Sequence, residues 1–170
     1  MSNYIEDSNS VLFHVLYEFE TFLSAVCIYH KYDVVGIKNI ALDSIYLHVR
    51  SLSDFFSNSK SGKAHSDDII YSRFISCHIN DVVLTDNVRE YINKGVAHIT
   101  SSRRRLALDN DALYNSVKEI LLAIKAFMEN LNIYICHDYS DELKDADVVK
   151  IQKSIDKLLL SAACYLASPT

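Results

Sequence analysis

The sequence predicts an all-α fold, an up-and-down helical bundle of four to five long helices. Three observations carry this expectation. Apolar residues recur at spacings of three and four through one stretch after another, which is the signature of amphipathic helices. No confidently periodic stretch alternates apolar and polar residues with period two. Only three Gly and one Pro occur in 170 residues, so the residues that interrupt helices are scarce. A chain of this length fits one domain, spanning residues 1–170, and buries roughly two thirds of the surface it exposes when unfolded.

The first helix starts near Val11, where Leu12, Val15, Leu16, Phe19, Phe22, Leu23 and Val26 form one stripe. It has Asp7, Ser8 or Ser10 as N-cap and ends near Lys31. After the tetrapeptide DVVG a second stripe runs from Ile37 through Ile45, Val49 and Leu52 to Phe56, and stops at the polar segment 57–68. Residues 69–84 mix short apolar runs with His78 and Asn80 and fit neither period. Residues 85–100 read as helical on Val88, Ile92, Val96 and Ile99, with Gly95 weakening the middle by up to about 1 kcal/mol relative to Ala. Asp109 and Asn110 then cap a helix whose inward face is Leu113, Val117, Ile120, Leu121, Ile124, Phe127, Met128 and Leu131. A last helix over 141–166 carries Leu143, Val148, Ile151, Ile155, Leu158, Leu159 and Ala162, with carboxylates in its first turns as the helix dipole favours.

Composition excludes several function classes. The net charge of −5, from 22 acidic against 17 basic residues, argues against nonspecific coating of nucleic acid by the whole surface. Cys27, Cys77, Cys136 and Cys164 stand far apart without a CxxC pair and read as reduced core residues. The N-terminal segment MSNYIEDSNS is acidic and polar, and no run reaches the roughly 18 apolar residues of a membrane span. A cytoplasmic protein that does not engage membranes is the expectation. The histidines show no HExxH or similar spacing, and there is neither a Gly-rich phosphate loop nor a GxSxG turn, so no metal and no cofactor is expected.

Two polar clusters remain. In RSLSDFF, residues 50–56, Arg50 and Asp54 lie one helical turn apart and are placed to form an ion pair. That pair is either a solvated one, worth a few tenths of a kcal/mol, or a partly buried one facing the second cluster. The second cluster is NKGVAHITSSRRR, residues 93–105. On a straight helix Lys94 and His98 share a face, while Asn93 sits about 140° round from His98. Gly95 permits a distortion there. Arg103 to Arg105, beside Ser101 and Ser102, make either a phosphate-attracting patch or a solvated cap of a helix C-terminus.

Taken together, HVRSLSDFF, DDIIYSRFI and INKGVAHITSSR resemble the pattern of a branch of small bacterial proteins related to the HEPN superfamily, over roughly residues 49–103. The resemblance implies a four- or five-helix bundle, commonly dimeric, and together with apolar stripes this wide on at least four helices it predicts a twofold homodimer. Many members of that class are metal-independent ribonucleases of toxin and antiviral systems, working with an arginine, a polar residue, spacers and a histidine. Carried onto this chain, the histidine falls on His98 and the polar position on Lys94, but Asn93 stands where the arginine belongs. Asparagine brings no positive charge to a reacting phosphate. Arg50 or Arg103 would have to supply it from elsewhere in the fold or the dimer, since Arg89, nine residues before His98, faces away on a straight helix. His98 then serves either as general base or acid, or as a buried imidazole bonded to Asn93, Thr100 or a carboxylate.

The missing arginine puts first a bundle that binds a protein partner or RNA in a bacterial defence or toxin–antitoxin type of system, without full nuclease activity. The alternatives are a metal-independent ribonuclease built on His98, Asn93, Arg50 and Arg103, and an unrelated helical adaptor whose eleven tyrosines make a protein interface.

Overall fold

The stripe that starts near Val11 winds as α1, Ser8–Lys31, and buries Leu16, Phe19, Phe22 and Leu23 completely. Ser10 therefore lies inside the helix and cannot cap it. Residues 32–34 are all that separate α1 from α2, Val35–Phe55, so the two helices form an antiparallel hairpin. Gly36 falls within the first turn of α2, not in the connection. Ala41, Ile45, Val49 and Leu52 recur at four, four and three and are buried, while Phe55 and the following Phe56 close that face.

The structure is a computed structural model that describes residues 8–57, 69–96, 110–138 and 146–167, and over these the protein is an all-α bundle. Of the sequence assignments, Asp7, Ile99, Asp109, Asp141 and Leu143 lie outside the described residues. Among the described residues four helices are long and one is short, where the sequence predicted four to five long ones.

Residues 69–84, which fit no period, hold only a 3-10 turn at Tyr71–Arg73. They nevertheless join the core through Tyr71, Ile75, Ile79, Val82 and Leu84, all buried. The Tyr71 hydroxyl accepts from the Ile79 N–H at 3.2 Å and donates to the Ile79 carbonyl at 3.4 Å. One side chain thus bonds both backbone groups of a buried residue that lies outside any regular element. The short α3, Asp86–Glu90, follows; Thr85 caps it, its Oγ1 accepting from the Val88 N–H at 3.4 Å.

All eight inward residues predicted for the fourth helix are buried in α4, Asn110–Asp138. In α5, Ala146–Ala167, Ile155 and Ala162 are buried, and Leu158 and Leu159 are half-buried. Helix α5 packs chiefly on α1, where the Ser154 hydroxyl donates to Glu20 Oε1 at 2.5 Å.

One expectation is corrected. Val11–Lys31 is long and apolar enough to cross a membrane by length and composition, because such a span tolerates the few polar residues that interrupt it. Half of that stretch is buried inside the bundle, where it supplies the central rings and leucines of the core.

If the Tyr71 hydroxyl anchors the irregular segment, Tyr71→Phe lowers stability by about 0.5–1.5 kcal/mol in urea denaturation, the net worth of a hydrogen bond of this kind. An unchanged midpoint contradicts the anchoring role.

Candidate functional site

The last turns of α2 pack against the segment that follows α3, and both polar clusters of the sequence meet this region. Leu52, Phe55 and Phe56 are committed to the core, which leaves Arg50 and Asp54 on the sides of α2. Arg50 is exposed, not partly buried. The expected Arg50–Asp54 pair is replaced by a contact between elements: Asp54 Oδ1 stands 3.8 Å from Arg89 Nη1 of α3. The side chains of Asp54 and Arg89 are 35% and 41% exposed, so this ion pair contributes at most about 1 kcal/mol. Ser53 between them is buried, its Oγ donating to the Arg50 carbonyl at 2.8 Å. Lys94 reaches one turn back to Glu90 at 2.6 Å.

After Glu90 the winding changes. Tyr91–Val96 is a π-helix, with hydrogen bonds from i to i+5 in place of i to i+4. Each turn takes up one residue more, so angular positions counted along a straight helix fail here. The expected distortion is present, and Gly95 lies within it. His98 and Arg103 lie outside the described residues. The structure therefore places two of the four candidate residues, Arg50 and Asn93. They sit on neighbouring elements, Arg50 one turn before Asp54 on α2 and Asn93 one turn after Arg89.

Asn93 is half-buried, and its Oδ1 is sealed from solvent without a hydrogen-bond partner. An orphaned buried carbonyl costs stability and marks either a strained position or an awaited donor. Beside it, Ile92 is fully buried and the Tyr91 ring meets that of Tyr46 of α2 at a tilt, 5.3 Å from centroid to centroid. Burial, with Tyr91 adding to it, pushes the Tyr46 phenol well above its ordinary range, so it remains protonated at neutral pH and supplies no base.

Sequence reasoning set Arg89 aside because it was measured only against His98 on a straight helix; its partner lies 35 residues earlier on α2, a pairing no local spacing reveals. The contact of His48 Nδ1 with Glu18 Oε2, 2.9 Å across the α1–α2 hairpin, was equally hidden. Cys27 and Cys77 are free thiols packed half-buried against the core, less enclosed than the sequence suggested, and the side chains of Cys136 and Cys164 lie outside the described ones. Burial raises the Cys27 thiol, which disfavours its thiolate. Among the described residues no three His, Cys, Asp or Glu side chains gather to hold a metal ion. Comparison with protein-family models, with curated proteins and with solved structures finds no match.

An acceptor that is buried and unpaired costs its desolvation and returns no hydrogen bond. Asn93→Ala accordingly leaves the free energy of unfolding unchanged or raises it, whereas a loss of about 2 kcal/mol or more in chemical denaturation contradicts the orphaned state of Oδ1.

Proposed function

We propose that this protein is a HEPN-like helical bundle that binds a protein partner in a bacterial defence or toxin–antitoxin type of system in the cytoplasm, and that it does not cleave RNA. The observation that supports this reading most is the neutralised state of the α2–α3 cluster. Of its three described cations, Arg89 faces Asp54 and Lys94 faces Glu90, which leaves Arg50 as the one exposed cation for which no carboxylate contact is seen. A phosphate bound here competes with two carboxylates already in place. Where the family resemblance calls for an arginine, Asn93 offers a neutral amide, which brings no positive charge to a phosphate oxygen. With the Asp54–Arg89 contact joining α2 to α3 and the Tyr46–Tyr91 ring contact joining α2 to the π segment, these residues work as scaffolding between the two elements.

The alternative is the metal-independent nuclease, with His98 as acid or base and Arg50 or Arg103 supplying the charge. The two readings separate in one assay. A mixed pool of RNA incubated with the protein in EDTA stays intact on denaturing gels, His98→Ala behaves as the parent does, and expression leaves host growth unaffected. Binding to the same RNA at physiological salt is no tighter than about 10⁻⁶ M, the strong end of nonspecific association. Metal-independent cleavage that disappears in His98→Ala overturns the scaffold reading in favour of the nuclease.

A further inference from the structure

The connection between α1 and α2, with the helix ends that flank it, projects beyond the core. Every residue from His30 to Ile37 is exposed, and the first buried residue of α2 is Ala41. No atom from elsewhere in the fold stands within 4 Å of the point where a side chain at Gly36 would begin. What this tip holds out in water is mostly aliphatic: Val34 is 59% exposed, Val35 72% and Ile40 74%, with Ile28, Tyr32 and Ile37 also exposed. Such side chains gain by leaving water, and a patch of them gathered at one end of a molecule marks a docking surface.

The patch wraps around the end of the hairpin. Ile28 belongs to α1, Tyr32 and Val34 to the connection, and Val35, Ile37 and Ile40 to α2. A fluid surface that closes round a protruding end covers all of its sides at once, whereas a peptide or a helix covers one. The charges point the same way. Between Glu20 and Asp43 the chain carries two cations, Lys31 and Lys38, against one carboxylate, Asp33, a local charge of +1 in a protein of −5. Lys38 holds Asp33 at 2.9 Å and lies 5.7 Å from the centre of the Tyr29 ring; Lys31 lies 5.5 Å from that of Tyr32 and has no carboxylate contact among the described residues. Lysine and tyrosine side by side around an apolar tip suit a bilayer interface, where phenols sit at headgroup level and ammonium groups meet anionic lipid. The next carboxylate, Asp43, stands about 12 Å along α2 from Val35, beyond the Debye length of about 8 Å at physiological salt. The depth also fits: Val35 to Ile40 rise about 7.5 Å, within the roughly 5–10 Å to which interfacial segments enter.

We propose that the α1–α2 hairpin docks tip-first on an anionic bilayer surface, with Val34, Val35, Ile37 and Ile40 entering the leaflet and Lys31 and Lys38 among its headgroups. The polar cluster stays clear of the lipid, because Arg50 lies about 22 Å from Val35 along the same helix. The expectation of a protein that does not engage membranes rests on the length of apolar runs, which a tip entering one leaflet does not need.

Co-sedimentation of the full chain with vesicles tests this, using phosphatidylcholine alone and phosphatidylcholine with phosphatidylserine in about equal parts. The protein pellets with the mixed vesicles, less with phosphatidylcholine alone, and less with the mixed vesicles as salt is raised. Val35→Asp and Ile40→Asp each weaken the binding about tenfold or more, while far-UV circular dichroism is unchanged because both side chains already lie in water. Lys31→Glu weakens it, and Asp33→Asn, which removes the one carboxylate of the tip, tightens it. Leu47→Asp, exposed on α2 but about 18 Å beyond Val35, leaves it intact. A protein that stays in the supernatant with both vesicles overturns the proposal and leaves the tip to a protein partner. Equal binding to both vesicles overturns the anionic surface, and binding that is indifferent to Val35→Asp and Ile40→Asp, or equally lost in Leu47→Asp, overturns the tip as the contact.

Discussion

The fold depends on a knot of four phenylalanines. Phe19 of α1 stacks on Phe56 at 5.8 Å and meets Phe55 and Phe127 edge-on at 5.8 Å and 5.4 Å; Phe55 meets Phe127 at 5.6 Å. These rings come from α1, the end of α2 and α4, three elements distant in sequence, and three of them are wholly buried. Edge-to-face pairs of this kind add roughly 0.5–1.5 kcal/mol each beyond the area they bury. Phe74 and Tyr71 extend the knot, which is how the irregular segment 69–84 is drawn into the core without a regular element of its own.

The knot also fixes the polar cluster. Because Phe55 and Phe56 point inward, Asp54 is directed sideways at the end of α2, and α3 lies where Arg89 reaches it. Around the π winding that follows, Val88 and Ile92 are both fully buried, and Tyr91 meets Tyr46 of α2 with the two rings tilted. Asn93 Oδ1 is sealed in there with no hydrogen-bond donor among the described residues. The cost is tolerated because the surrounding core overdetermines the backbone.

How much of this was legible follows from what each feature depends on. Helices α1, α2 and α4 were readable almost residue by residue because their inward faces repeat with the helical period, and burial of Leu113 through Leu131 on α4 is the plainest case. The segment 69–84 was not, since its buried residues are held by a tyrosine hydroxyl across eight residues and not by a period. In the polar cluster, Arg50 and Asp54 were correctly placed on α2, but their ion pair was not, because the competitor Arg89 arrives through tertiary packing. The position of Gly95 signalled a distortion, while the change to i→i+5 winding, which alters every angular relation after Tyr91, leaves no mark in composition.

The most direct test of this account is a double-mutant cycle between Phe19 and Phe127, using Phe19→Leu, Phe127→Leu and the pair, with stability read from urea denaturation. Leucine keeps the apolar character and removes the ring contact. If the rings tie α1 to α4, the two substitutions are not additive, and the cycle returns a coupling of about 0.5–1.5 kcal/mol. A coupling indistinguishable from zero contradicts the account, since the helices then meet through generic apolar burial and the phenylalanine knot does not organise the bundle.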